Sequence, residues 1–378
     1  MKATTLANME RYFRKPITAY LPPKFVVSNY SKGRQYFLKK LEGDIPKENY
    51  IPLESLSRDL WGIKFRSPIM NAAGMFKNGE CYKTVYMQGA AGFLGGTGTW
   101  NSREGNTWIN PKNKNDIIYL PFTPYPRSNS SSNWLGLPNN GDLANQARIK
   151  NLRKIKGFPI GWSVMSSPDK NGKEKLEYLV RGMKLLENTE IDFIELNVSC
   201  PNTISNDKYD KLEIVLEYVS DNFLNKRKRH LPTIVKFSND TRLEDIHYII
   251  DLLLDLRFDG VNFGNTSKNY DKHREKIHHK EKKLYDFFTE FIGGGISGEL
   301  LKEDSLALCK TAINYKRKRG SVQEFHVIRT GGIKTIEDIQ ESEMVGISLN
   351  QWYTGYFDNF SKHGHDVYKK LFNKTTFS

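Results

Sequence analysis

Eight short apolar runs, at residues 68–71, 92–99, 159–165, 192–199, 233–237, 260–264, 325–330 and 346–351, constrain this chain more than any other feature. Stretches in which apolar residues return every three or four positions lie among them, at 143–155, 174–186, 211–223, 243–256 and 305–315. Strand-like runs alternating with helical ones predict a parallel sheet. Eight such units fit a closed (β/α)8 TIM barrel better than an open sheet, and 378 residues leave room for a barrel of about 250 residues plus an appendage. No GxGxxG follows the first run and no GxxxxGK[ST] occurs anywhere, which counts against dinucleotide-binding and P-loop folds. The expected division is a barrel over residues 58–378 behind an N-terminal extension over residues 1–57.

That extension lacks the βα rhythm. Its aromatic and basic residues, among them Tyr12, Phe13, Arg14, Lys15, Tyr36 and Phe37, predict one or two short amphipathic helices broken by Pro22 and Pro23. Such helices suit a barrel cap, a dimer arm or a membrane-surface contact. The serine-rich stretch 128–132 reads as a flexible loop, and the lysine-rich stretch 268–283 as an excursion between a strand and a helix.

The formal net charge of +14 raises the prior for an anionic partner, although basic runs such as KRKR at 226–229 and 316–319 usually form solvated faces. Cys81, Cys200 and Cys309 show neither metal-ligand nor CxxC spacing, and an odd, sparse set argues against a disulfide framework. The histidines show no ligand spacing, so no metal is expected. The first residues lack the apolar run of a secretory signal, so none is expected, and no uncharged apolar stretch reaches about 18 residues. The expected location is the cytoplasm, with the extension as a candidate peripheral contact on the inner face of a membrane.

Several runs end in polar or small residues: NAAG at 71–74, GTGT at 96–99, NFGNTS at 262–267 and RTGG at 329–332. In a barrel these C-terminal strand ends form the face on which active sites are built. The segment ELNVSCPNT at 195–203 delivers a thiol flanked by the carboxamides of Asn197 and Asn202, which can both donate to and accept from a heterocycle edge. Cys200 could be a base, a nucleophile or an inert small hydrophobe. Lys236 interrupts the otherwise apolar IVKFS, and a buried ammonium is costly without a partner.

Taken together, these segments resemble the FMN-dependent dihydroorotate dehydrogenase family over nearly the whole barrel. GIKFRSPIMNAAGMFKNGE at 62–80 is similar to the family's first strand, REGN at 103–106 to the sequel of its second, and NWLGLPN at 133–139 to its substrate loop. IVKFS, NTS at 265–267, GGISG at 294–298, Gly331-Gly332 and YTG at 353–355 follow in the family's order. The resemblance implies oxidation of dihydroorotate to orotate in pyrimidine biosynthesis. Cys200 would remove the C5 proton while hydride passes from C6 to flavin N5, and Lys77 would hold the substrate carboxylate and touch the flavin. Further substrate contacts would come from Asn133, Gly136, Leu137, Asn197, Asn202, Asn265 and Thr266. FMN would be held by Ala72, Ala73, Gly74, Thr97, Ser163, Asn197, Lys236, Ser297, Gly298, Gly331, Gly332, Tyr353 and Thr354.

The wording is a mosaic of the family's branches. A cysteine base and GLPN look like the soluble branch, which uses fumarate or NAD, whereas FKNGE, GGISG and YTG look like the quinone-using branch. The extension has the length of the helical segment through which that branch reaches quinone, so the balance tips slightly to quinone. Ser163 stands where the family often has asparagine and Gly264 where threonine is common, while Trp134 and Trp352 add bulk beside the expected pocket. A homodimer is left open. Two other readings compete: a flavin barrel acting on another dihydropyrimidine, such as dihydrouridine in RNA, and a flavin binder without catalysis. The first should carry a basic helical domain after the barrel, and no such domain is expected in the short stretch that follows the last run, so no nucleic acid is expected. The second would need neither Cys200 nor Lys77.

Overall fold

The computed structural model describes residues 1–198 and 211–373. Its centre is an eight-stranded parallel sheet: β1 Ile69–Asn71, β2 Phe93–Gly98, β3 Ile160–Val164, β4 Phe193–Asn197, β5 Thr233–Ser238, β6 Gly260–Asn265, β7 His326–Thr330 and β8 Leu349–Trp352. The hydrogen-bonded order β1-β8-β7-β6-β5-β4-β3-β2 leaves β1 and β2 at the ends. These two meet at a seam, where Leu94 N donates to Asn71 Oδ1 at 3.2 Å and Asn71 Nδ2 donates to Leu94 O at 2.7 Å. Backbone bonds flank that clasp, Ala91 N to Ile69 O at 2.9 Å and Gly74 N to Gly96 O at 2.7 Å. The sheet is thereby an (α/β) barrel, nearly closed, as the eight apolar runs predict.

The barrel interior changes character along its axis. At the bottom, Leu94, Phe193, Ile234, Ile328 and Leu349 pack with Trp61 and Phe65. The two aromatics come from the hairpin of Arg58–Leu60 and Ile63–Phe65, whose turn places Trp61 at φ 56°. Gly161 makes room for this plug, since a Cβ there would lie 2.1 Å from the Phe193 ring. Above the apolar layer the inward residues are Glu195, Lys236, Asn262, Thr330 and Gln351, all buried. The larger core fills the space between the strands and the surrounding helices.

The extension forms two helices, α1 Ala3–Tyr20 and α2 Pro23–Glu42. Pro23 occupies the first position of α2, where its missing N–H costs nothing. The helices pack on the barrel's top side: α1 against the helix Thr354–His363, and α2 against the strand Phe122–Tyr125 and the helix Lys282–Phe291. Arg14 pairs with Asp358 at 2.7 Å, and Arg34 donates to the Tyr353 hydroxyl at 2.7 Å. Met9, Tyr12, Phe13, Tyr20, Phe25 and Tyr36 stay exposed. No helix among the described residues is long and apolar enough to cross a membrane.

The serine-rich stretch is not a flexible loop. Ser130–Asn133 is the middle strand of an antiparallel sheet between Phe122–Tyr125 and Gly295–Gly298. Ser130, Ser131 and Ser132 are buried because each hydroxyl is bonded, Ser130 to Ser128 O at 2.9 Å and Ser132 to the Tyr125 hydroxyl at 2.9 Å. Satisfied hydroxyls lose little on burial. A hairpin of Thr107–Asn110 and Asn113–Tyr119 is a further element outside the βα rhythm.

Candidate active site

The C-terminal ends of the strands surround a cleft of about 1040 Å³, part of it open to solvent. Its charged lining side chains, among the described residues, are Lys77 and Lys236; no carboxylate lines it. Among the described residues four carboxamides, Asn133, Asn197, Asn265 and Gln351, line it as well. Asn265 Nδ2 donates to Asn197 Oδ1 at 3.1 Å, and Asn197 Nδ2 reaches Thr97 Oγ1 at 3.5 Å, so the amides are oriented by one another. The loop carrying Asn133, Leu135 and Leu137 is pinned by the REGN segment: Arg103 and Asn139 exchange backbone bonds at 2.8 and 3.0 Å, and Asn106 N donates to Leu135 O at 2.8 Å.

One end of the cleft is built to take an anion. Gly331 and Gly332 follow β7 at φ +118° and +76°, and a Cβ on Gly332 would lie 2.3 Å from Lys302 Cα, so only glycine brings the backbone this close. Thr354 opens the ten-residue helix Thr354–His363, whose first amides point out of the helix as donors. Beside it the hydroxyls of Ser131, Ser297 and Thr354 lie 2.9 to 3.3 Å from one another. Amide donors, hydroxyls and close-approaching glycines suit a phosphate. The opposite wall, Ala72, Ala73 and Gly74 with Thr97, presents small side chains against which a flat ring can lie.

Lys236 projects from β5 into the polar layer under this wall. Its ammonium lies 3.4 Å from Glu195 Oε1 and 3.4 Å from Gln351 Oε1. Glu195 Oε2 accepts from Asn262 Nδ2 at 2.8 Å and from Gln351 Nε2 at 2.8 Å. Thr330 completes the set, donating to Asn262 Oδ1 at 2.9 Å or Gln351 Oε1 at 3.0 Å. A buried charge placed in such a network is held in one orientation.

The structure brings most of the expected residues to this cleft. Ala72, Ala73, Gly74, Lys77, Thr97, Asn133, Leu137, Asn197, Lys236, Asn265 and Thr266 line it, as do Ser297, Gly298, Gly331, Gly332, Tyr353 and Thr354. Ser163 lies behind the wall, its hydroxyl 2.9 Å from that of Thr97. Gly136 does not line the cleft: it turns the loop at φ +67°, and a Cβ there would lie 2.1 Å from Asn106 Oδ1. Cys200 and Asn202 lie outside the described residues. The other two cysteines are buried, and burial pushes the Cys309 thiol up to about 12 and the Cys81 thiol up as well, so neither serves as a base near neutrality.

Sequence reasoning missed Gln351, Thr330 and Ser131. The first two lack the signal that singled out Lys236, because their strands hold other polar residues, Arg329 beside Thr330 and Asn350 beside Gln351. Gly264 also lines the cleft, and its departure from threonine has a steric cause: at φ +139° an added Cβ would lie 1.5 Å from Thr330 O. Trp352 lines the cleft with its indole N–H fixed on the Tyr368 hydroxyl at 3.0 Å, whereas Trp134 packs into a separate apolar cluster.

A second cavity, about 1680 Å³, opens between α1, α2 and the barrel. Leu6, Ala7, Ile17, Leu21, Phe25 and Phe37 give it apolar walls, and Phe122, Ser131, Tyr353 and Thr354 line both it and the cleft. Two of its polar residues are held by partners: Tyr30 donates to Glu10 at 2.8 Å, and Asp358, though burial raises it, is held well below the usual carboxylate range by Lys362 and Lys334.

Residues 55–374 match the family model described as dihydroorotate dehydrogenase. A relative from Trichodesmium erythraeum (strain IMS101), dihydroorotate dehydrogenase (quinone), is 30% identical over 313 residues, which is 79% of this chain and 74% of the relative. The protein of the same name from Cyanothece sp. (strain PCC 7425 / ATCC 29141) is 28% identical over 311 residues, 81% of this chain and 76% of its own. In fold, the chain is similar to the crystal structure of DHODH from Eimeria tenella in complex with ferulenol, with a TM-score of 0.71, 19% identity and 91% of each chain covered.

Proposed function

This chain belongs to the dihydroorotate dehydrogenase family, and we propose that it binds FMN in the barrel cleft, oxidises dihydroorotate to orotate for pyrimidine biosynthesis and passes the electrons to a quinone. The observation that carries the reading is the electrostatic character of the cleft. Among the described residues its lining charges are two lysines and its amides are those of three asparagines and Gln351, which suits an anionic cofactor and a carboxylated, amide-edged pyrimidine together. Bound FMN supplies a hydride acceptor.

The chain's own residues do the rest. Gly331, Gly332 and the start of the helix at Thr354 hold the cofactor phosphate, with the hydroxyls of Ser131 and Ser297 beside them. Lys77 binds the substrate carboxylate, and Asn133, Asn197, Asn202 and Asn265 read the pyrimidine edge. Lys236 offsets the negative charge that arrives with the hydride. Cys200 takes the C5 proton; a thiol is a usable base near neutrality once a nearby cation favours its thiolate.

Two observations favour quinone. The apolar cavity between α1 and α2 shares four lining residues with the cleft, giving an apolar acceptor its own way in. The relatives are named for quinone. We assign residues 1–57 to acceptor access and residues 58–378 to the flavin barrel. The test is anaerobic mixing of the yellow protein with dihydroorotate, followed by a soluble quinone, fumarate or NAD. Bleaching by dihydroorotate and recolouring by quinone alone is the expected result. A flavin-loaded protein that does not bleach overturns the substrate, and recolouring by fumarate or NAD in preference to quinone overturns the acceptor.

A further inference from the structure

The apolar cavity between α1, α2 and the barrel holds an acid that the reaction outlined above does not use. Glu10 lines the cavity from α1, and the Tyr30 hydroxyl on α2 donates to its Oε1 at 2.8 Å. Tyr30 and Arg34 stand one turn apart on α2 and so share a face of that helix. Arg34 donates to the Tyr353 hydroxyl at 2.7 Å, and Tyr353 belongs to the wall that the cavity shares with the cleft. The bond to Tyr30 therefore holds the Glu10 carboxyl beside the face of α2 that meets this shared wall.

Two of the described side chains lining the cavity carry a carboxyl, Glu10 and Asp358. Asp358 is bound by Arg14 at 2.7 Å, Lys362 at 2.7 Å and Lys334 at 2.9 Å, and the lysines hold it ionised despite its burial, so it has no proton to lend. Glu10 is in the opposite condition. Burial raises it above its ordinary value, against the pull of Arg14 and of the Tyr30 hydrogen bond, and Asp358 adds to the rise. Burial, with Glu10 beside it, lifts the Tyr30 phenol as well, far enough that Tyr30 keeps its proton. These groups come from the long elements packed on Glu10: Arg14 from its own helix, Tyr30 from α2 and Asp358 from the helix Thr354–His363. The strand Phe122–Tyr125 brings Phe122 and Pro124 to the cavity. The turns at 279–281 and 364–366 also touch α1 but do not line the cavity; Lys280 is bonded to Tyr20, Glu281 to Ser128 and His365 to Asp44.

We propose that Glu10 is the general acid of the acceptor half-reaction, giving a proton to an oxygen of a quinone seated in this cavity. The inference rests on the quinone reading given under Proposed function. Conversion of a quinone to its hydroquinone takes up two electrons and two protons. Both electrons and one proton leave with the reoxidation of the flavin, and the second proton comes from Glu10. The O–H bond of the Glu10 carboxyl breaks as the new O–H bond forms on the quinone. The carboxylate left behind keeps its hydrogen bond from Tyr30 and has Arg14 one turn away on α1. It regains a proton from solvent, to which the half-buried Glu10 is partly open.

The experiment reduces the flavoprotein anaerobically and mixes it in stopped flow, across pH, with a soluble quinone or with ferricyanide, which takes electrons and no proton. The quantity read is the ratio of the two recolouring rates. Glu10→Gln keeps the size of the side chain and an acceptor for Tyr30 but has no acidic proton. Its ratio should fall at least ~100-fold, the usual worth of a positioned acid. The native ratio should decline as pH rises through the raised titration of Glu10, and Glu10→Gln should lose that decline. A variant with the native ratio, or with the native pH dependence, overturns the proposal, because a merely structural role would slow both acceptors alike. Glu10→Asp, which keeps an acid, should keep the decline with pH, and its loss there overturns the proposal equally. Independently of turnover, the infrared difference between the native chain and Glu10→Gln near pH 6 should contain a protonated-carboxyl band, since an ordinary glutamate is almost wholly ionised there. Absence of that band also overturns the proposal. A native chain recoloured by ferricyanide but by no quinone overturns the acceptor reading instead, and is recognised before any variant is made.

Discussion

Asp142, the first residue of the helix Asp142–Asn151, offers a test of how this fold treats a charge with no partner. It is 3% exposed, and its Oδ1 makes no hydrogen bond among the described residues. The same holds for both amide atoms of Asn145 and for Trp162 Nε1. Burial raises the carboxyl from 3.8 to about 7. The folded state therefore holds this proton more tightly than the unfolded chain, so the stability tied to it is complete below pH 3.8 and is lost as pH rises through about 7. A gap of about three pH units at roughly 1.4 kcal/mol each gives about 4 kcal/mol. That is a large share of a net stability of roughly 5–15 kcal/mol. Asp142→Asn keeps the shape and removes the charge. In urea unfolding followed by tryptophan fluorescence, the variant should match the native chain near pH 4 and exceed it by about 4 kcal/mol near pH 8, with the m-value unchanged. Parallel stability curves for the two proteins across that range would falsify the assignment of the pH dependence to this carboxyl.

Three further outcomes are expected. Cys200→Ala should keep the flavin spectrum and slow anaerobic flavin reduction by dihydroorotate at least ~100-fold in stopped flow; near-native reduction would remove Cys200 as the base. Gly264→Thr should fail to give flavin-loaded protein on purification, because its Cβ would lie 1.5 Å from Thr330 O, and a yellow, native-like variant would contradict the strand geometry. Gly33→Phe on α2 places a ring in the apolar cavity, where nothing stands within 4 Å of an added Cβ. It should lower steady-state quinone reduction roughly tenfold or more (about 1.4 kcal/mol) and leave anaerobic bleaching by dihydroorotate unchanged; loss of both activities, or of neither, would count against the cavity as the acceptor's path.

How far the sequence could be read depended on whether burial was achieved by hydrocarbon or by hydrogen bonding. All eight barrel strands announce themselves because β-branched and aromatic runs bounded by glycine and polar turns have few other solutions. The break at Pro22 and Pro23 is equally clear, since Pro23 opens α2 at its first position, whereas the single Pro16 lies inside α1 without ending it. The strand Ser130–Asn133 is hidden because its serines become core residues only through the partners its sheet provides. Gly264 reads as an unexplained departure until Thr330 is seen against it. Lys236 stands out in its strand, but Gln351 and Thr330 carry no charge to draw attention and matter through register, which places them opposite one another.

The clasp between Asn71 and Leu94 makes the barrel a ring with one fastening unlike the rest. Ala72 to Gly74 lie on one side of it and Thr97 on the other, so the two halves of the flavin-side wall belong to strands joined there by a side-chain amide. Opening this seam, the clasp together with the backbone bonds that flank it, loosens both halves at once, without unpairing the other strands. Solvent isotope exchange at the Leu94 amide should therefore keep time with the escape of bound FMN.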